Sequence, residues 1–171
     1  MLSRIQRHYI SKKEIKKLKQ ILLKVNANFA NNLDMSKGSV ELAVADNIQI
    51  YVVNGTPTLI IKGDLLYPAL TVLYKKPKLI NYFKTVIVDE GAVPHIVNGA
   101  DVMVPGILEY SRDIVEGDIV IVLDRKRRPI CIGLALMDSN TIGSSSRGRA
   151  IKNIHHIYDR VWDLCIKLMS S

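Results

Sequence analysis

The side chains that could do chemistry in this chain are mostly cationic, and their spacing suits gripping a polyanion better than breaking bonds. Lys12, Lys13, Lys16, Lys17, Lys19 and Lys24 crowd one short segment, and Arg125-Lys126-Arg127-Arg128 are consecutive. Such arrays neutralise phosphates; a solvated surface is the alternative reading of each, and both stay open at this point. Acid–base or nucleophilic catalysis has less to work with. Residues 1–84 hold no Cys, one His (His8) and five acids, Glu14, Asp34, Glu41, Asp46 and Asp64, scattered without pairing. Nor do they hold a glycine-rich phosphate loop of the usual spacing; Gly55-Thr56-Pro57 is turn chemistry. Cys131 and Cys165 stand in apolar stretches with no second thiol at metal-ligand spacing, which reads as buried small hydrophobes. His155 and His156 are neighbours on a predicted strand, so they point to opposite faces and cannot share a metal. The expectation is a binding protein with no catalytic residues, metal or cofactor.

Bulk properties agree with a folded binder. The chain has 171 residues, 48% of them hydrophobic and 23% charged, enough for one domain or two small ones with a real core. The net charge of +8 is unevenly spread. Residues 1–84 carry 14 Lys and Arg against 5 Asp and Glu, whereas residues 85–171 carry 10 against 11. An asymmetry of this size suggests that the first half faces a polyanion, nucleic acid before membrane surface. Residues 1–8 do not read as a signal peptide, and no apolar run approaches the roughly 20 residues that cross a bilayer. A cytoplasmic protein without membrane contact is expected.

The elements that must position these residues differ between the halves. Residues 11–29 read as an amphipathic helix: Ser11 and Glu14 form a capping box, and Ile15, Leu18, Ile21, Leu22, Val25 and Phe29 make an apolar stripe opposite the lysines. Val40 to Val53 and Thr58 to Ile61 read as strands, with Asn54-Gly55 as a hairpin turn. Leu66 to Tyr74 reads as a helix with Pro68 in its first turn, and a domain boundary falls near residues 80–84. Beyond it, β-branched runs at Thr85–Val88, Asp101–Val104, Ile119–Leu123, Ile130–Leu136 and Ala150–Tyr158 alternate with turn signals, the pattern of a small barrel or sandwich. Ala92–Val97 is the single helical interruption. Trp162 reads as a packing anchor.

From Val88 onward the sequence resembles the opening of a PUA domain. An acidic residue precedes Gly91-Ala92 at a helix start, followed by Asn98-Gly99-Ala100-Asp101, a strand, and Val104-Pro105-Gly106-Ile107. The resemblance runs on through Glu116-Gly117-Asp118-Ile119-Val120, Ile132-Gly133 and Arg147-Gly148-Arg149-Ala150, covering about residues 84–165. Upstream, Tyr67-Pro68-Ala69-Leu70 and Leu73-Tyr74-Lys75-Lys76-Pro77 extend it. Together with the ending Asn153 to Trp162, these resemble the malignant T-cell-amplified-sequence family and its archaeal relatives. That resemblance implies an α+β protein: a small α/β pre-PUA domain over residues 1–83, then a PUA β-pseudobarrel over residues 84–171. It also implies a role in translation, recruiting or releasing tRNA at the small ribosomal subunit in initiation or re-initiation, beside a partner with an SUI-type domain. An accessory role in tRNA or rRNA modification or in ribosome biogenesis is the alternative. A modifying enzyme would need a larger catalytic domain than residues 1–84 provide.

If the family's surface carries over, the helix Gly91–Asn98, the turn Gly99–Asp101 and the start of the last strand form one RNA-binding face. His95 and Asn98 then reach bases, while Arg147, Arg149 and Lys152 reach phosphates. Gly99-Ala100 and Gly148 are the places where backbone could approach the RNA closely, with Asp101 and Ala150 on the same RNA-binding face. Lys12, Lys16 and Lys19 are expected as an auxiliary basic face. Gly99 has a second reading as a helix cap, and His95 another as an ordinary helix-surface residue; neither alternative is closed by sequence.

Overall fold

A computed structural model describes residues 4–35 and 39–171. The chain divides into two units: Met1–Tyr82 together with Leu164–Ser171, and Phe83–Asp163.

The first unit is an antiparallel five-stranded sheet with helices. The strands β1 (Gln6–Tyr9), β2 (Val40–Ala45), β3 (Ile48–Val53), β4 (Thr56–Lys62) and β5 (Leu65–Pro68) lie in sequence order. The capping box at the start of α1 (Lys12–Val25) is formed: Glu14 N–H donates to Ser11 Oγ, and Ser11 N–H donates to Glu14 Oε2 at 2.7 Å. The predicted single helix is broken at Asn26. Its amide closes α1 on Leu22, while its side chain accepts from Phe29 N–H at the start of α2 (Ala27–Asn31) and donates to Tyr82 O. An Asx cap of this kind competes with continued helix. Ile15, Leu18, Leu22 and Phe29 are buried, but Ile21 and Val25, expected in the same stripe, are exposed. The buried stripe is narrower than the one expected from the sequence.

Two further readings are corrected. Val40 to Val53 is a hairpin rather than one strand, because Asp46 adopts φ 55° and turns the chain. Leu65–Pro68 is strand, not helix: it pairs with β4 from Leu59↔Pro68 to Lys62↔Leu65, and α3 (Leu70–Lys75) begins only afterwards. Gly63 at φ 59° makes the tight turn. Pro68 is tolerated because it ends an edge strand.

The second unit is a mixed six-stranded sheet curled into a nearly closed pseudobarrel. Its strands are β6 (Lys84–Val88), β7 (Val102–Met103), β8 (Ile107–Tyr110), β9 (Ile119–Leu123), β10 (Pro129–Ala135) and β11 (Arg149–His156), in the order β7-β11-β10-β9-β6-β8. Only β6 and β9 run parallel. The 3-10 turn Val104–Gly106 joins the two outer strands, with Val104 N–H bonded to Gly148 O and Asp89 N–H to Gly106 O. Val86, Val88, Ile96, Val120, Val122, Ile130, Cys131, Ala150 and Ile151 fill the interior. Short helices α4 (Val93–Ile96) and α5 (Ser139–Ser144) cover the barrel, and α6 (Arg160–Met169) closes the chain. From Leu164 on, α6 belongs to the first unit, where Arg7 donates to Leu168 O at 3.0 Å and pairs with Glu41 at 2.8 Å. No helix among the described residues is long and apolar enough to cross a membrane.

Candidate nucleic-acid interface

The site is built by a helix that stops abruptly. Gly99 takes φ 100°, its N–H bonds Ile96 O, and Ala100 N–H reaches back to His95 O. These two bonds are a Schellman ending, which wants a glycine at the left-handed position. The helix start is equally defined, since Asp89 Oδ1 accepts from Ala92 N–H at 2.8 Å.

Between helix start and helix stop lies a cavity of about 480 Å³, walled by Asp89, Gly91, Ala92, His95, Ile96, Ala100, Asp101, Met103, Pro105 and Gly106. That volume falls within the roughly 300–1,000 Å³ of ordinary ligand sites. Small residues keep it open: a Cβ on Gly106 would stand 3.2 Å from that of Ala92. Met103, Pro105 and the alanines offer apolar surface to a flat ring. Asp89, Asp101 and His95 offer polar edges.

Asp101 ties this wall to β11. Its Oδ1 accepts from Asn153 N–H at 2.8 Å, and its Oδ2 accepts from Arg149 Nη1 at 3.0 Å. Asn153 completes the clamp by donating its side-chain amide to Ile96 O and Ala100 O at 2.9 and 3.0 Å. Arg149, its side chain 65% exposed, is thereby held by Asp101 beside the cavity. An anion entering there meets a charge already held in place, which lowers the ordering cost of binding.

The structure brings His95, Ala100 and Asp101 together as cavity walls and binds Arg149 to one of them. Asn98 and Gly99 lie exposed on the helix ending, outside the walls. Arg147 is exposed, and Gly148, at φ 111°, uses its carbonyl to receive Val104 N–H. Ala150 is fully buried, with its carbonyl taken by Leu136 and Met137 N–H groups, so its side chain faces the barrel interior. Lys152 is exposed on β11 opposite Leu134 and is not a wall residue. In the first unit, Lys12 and Lys16 are exposed, whereas Lys19 is half-buried and borders a separate cavity of about 290 Å³ with Leu23, Ala30, Asn31 and Leu33. Sequence reasoning missed Asn153, Met103 and Pro105 as parts of the site. Val104-Pro105-Gly106 was visible as a motif, but Asn153 has no signal in a linear reading because its partners lie over fifty residues away. Among the described residues no group of His, Cys, Asp or Glu could hold a metal ion.

This barrel and its helix-flanked cavity define a PUA-domain protein, and comparison with known proteins agrees. The PUA domain family matches residues 84–157, and a domain of unknown function (DUF1947) matches residues 6–76. Translation machinery-associated protein 20 of Saccharomyces cerevisiae is 32% identical over 77% of this chain and 75% of its own. Malignant T-cell-amplified sequence 1-B of Xenopus laevis is 27% identical over 70% of this chain and 67% of its own. A PUA-domain crystal structure from Aeropyrum pernix superposes with a TM-score of 0.81 at 27% identity, over 98% of this chain and 94% of that one. The chain belongs to the PUA-domain family that includes translation machinery-associated protein 20 and the malignant T-cell-amplified sequences.

Proposed function

We propose that this protein binds RNA in the service of translation, taking a single-stranded RNA end into the Gly91–Gly106 cavity at the small ribosomal subunit. The observation that supports this reading is the combination of an apolar cavity of about 480 Å³ with polar edges and an arginine pinned beside it by Asp101. A splayed base can lie against Met103 and Pro105, while its edge meets His95 or a carboxylate. The adjoining phosphate falls to Arg149, with Arg147 and Lys152 further along the same segment. Single-stranded ends are what such a site can read, because bases inside a duplex are stacked away from side chains. A role in translation fits the name of translation machinery-associated protein 20; recruitment or release of tRNA, in initiation or re-initiation and beside an SUI-type-domain partner, is the finer role this reading proposes. Lys12, Lys16 and Lys19 supply an auxiliary basic face.

Binding of a short RNA with a free single-stranded 3′ end tests the reading, measured between 50 and 200 mM salt. Affinity should fall by orders of magnitude over that range, since each phosphate contact releases counterions. Ala100→Phe, at an exposed lip of the cavity, should weaken binding at least tenfold with an unchanged melting temperature; wild-type affinity in that variant would mean the cavity is unused. Co-sedimentation with small ribosomal subunits, with and without initiator tRNA, should decline when Lys12, Lys16 and Lys19 are all changed to Gln. Undiminished co-sedimentation would reduce that face to solvation.

A further inference from the structure

The far end of the β10–β11 ladder carries a second set of side chains suited to RNA. At the cavity end Ala135 pairs with Ile151; at the other, Cys131 pairs with His156 and Ile157 N–H bonds Ile130 O. The turn Asp124–Arg128 that opens β10 and the turn after His156 that closes β11 therefore emerge side by side. At about 3.3 Å per residue they lie roughly 20 Å from Arg149.

Both turns hold bulky residues in backbone conformations that L side chains rarely adopt. Four non-glycine residues have positive φ among those described: Asp46, Asn54, Arg127 at 61° and Tyr158 at 70°. Asp and Asn are at home there, whereas Arg and Tyr are not. Glycine would fit either site more easily, and strain of this kind is concentrated at functional positions. The first turn is also rigid. Asp124 Oδ1 accepts from Lys126 and Arg128 N–H at 2.9 Å each, its Oδ2 from Arg128 Nε at 2.7 Å, and its carbonyl from Arg127 N–H. Arg125, Lys126 and Arg127 are left exposed, and none forms an ion pair among the described residues. Tyr158 is 71% exposed, its ring fixed by an edge contact with Trp162 at 6.3 Å between centroids.

We propose that Arg125, Lys126, Arg127 and Tyr158 form a second RNA contact, in which the cations hold phosphates and one unstacked base lies on the Tyr158 ring. Cations on a fixed turn beside an exposed aromatic are the two components of single-strand binding surfaces. The proposal rests on the RNA-binding reading of the cavity and extends it. A strand reaching from Arg149 to this patch covers roughly 20 Å, or about six stacked nucleotides at 3.4 Å each, so short oligomers engage one end only.

The test uses the whole 171-residue chain and a 12-nucleotide single-stranded oligouridine, titrated across a salt series and followed by the emission of Trp162, the single tryptophan of that chain. Changing Arg125, Lys126 and Arg127 together to Gln should make the salt dependence shallower by about 2, from three contacts at ~0.7 each. Tyr158→Asn keeps a residue that tolerates the backbone and should cost about five- to a hundredfold in affinity with the salt slope unchanged. Arg127→Gly should melt no lower than wild type yet lose slope by about 0.7. If wild type binds and these variants match it in affinity and slope, the patch is not an RNA contact, its charge is left to an acidic protein surface or to solvent, and the cavity reading stands. If Arg127→Gly loses RNA only in step with its melting temperature, the role is structural and the proposal fails. If wild type shows no salt-dependent binding, the cavity reading and this one fall together.

Discussion

Changing Gly133 to Ala should destabilise the protein by about 3 kcal/mol, the upper range for overpacking a close-packed core. Gly133 is buried in β10 between β9 and β11, where the register to β11 shifts between Ile132 and Gly133. A Cβ there would run into the side chain of Ile151, with Lys152 O at 3.2 Å and Val120 Cγ2 at 3.5 Å. None of these can yield cheaply: Ile151 and Val120 have no exposed surface, and Lys152 O is backbone. Urea unfolding should show a lowered midpoint at unchanged m-value. Gly117→Ala is the control. Its φ of 92° strains any side chain, but nothing lies within 4 Å, so only the backbone cost of about 1–2 kcal/mol remains. Equal costs at the two sites would contradict the packing described.

Changing Asp159 to Ala should cost about as much, for a different reason. Its carboxylate accepts from His155 Nδ1 at 3.0 Å, His156 N–H at 2.9 Å and Trp162 N–H at 2.7 Å, so one side chain caps α6 and satisfies a fully buried imidazole. Losing a cap costs about 1 kcal/mol, and stranding a buried polar partner about 1–3 more. Burial alone would raise the Asp159 pKa, but the hydrogen bond and attraction of His155 and the two amides outweigh it, leaving the carboxyl below its ordinary 3.8. The sign follows from that direction. A depressed carboxyl contributes stability that is complete above the unfolded value and is lost as pH falls through the lower folded value. Wild type should therefore lose stability to Asp159→Asn progressively below about pH 4, the two curves running parallel at neutral pH. A difference between them that stays constant down through the acid range would mean the carboxylate is not held as described.

Local devices were the legible part of this fold. Ser11 and Glu14 announced their capping box, Asn54-Gly55 its turn, and Gly99 its helix ending, because each is decided by residues within five positions of one another. The β-branched runs of the second half were legible for the same reason. What eluded sequence reading depends on distant partners. Gln6–Tyr9 is polar and becomes strand only by pairing with Glu41–Val44. Leu65–Pro68, apolar throughout, carries no period to tell strand from helix, and β4 decides it. The return of the last eight residues to the first unit depends on contacts such as Arg7 to Leu168, 161 positions apart. The site divides the same way. His95, Ala100 and Asp101 could be named from a motif, but the clamp of Asn153, which shapes the turn they stand on, could not. Ala150 shows the opposite failure, since motif membership cannot tell a surface residue from a core one.

Backbone amide shifts of the wild-type protein, titrated with a short RNA bearing a free 3′ end at low salt, test the central claim most directly. The largest perturbations should fall on Ala92, His95, Ala100, Asp101, Met103 and Gly106, with Arg149 following. Saturating shifts that leave those residues untouched, or none at the lowest salt, would contradict it.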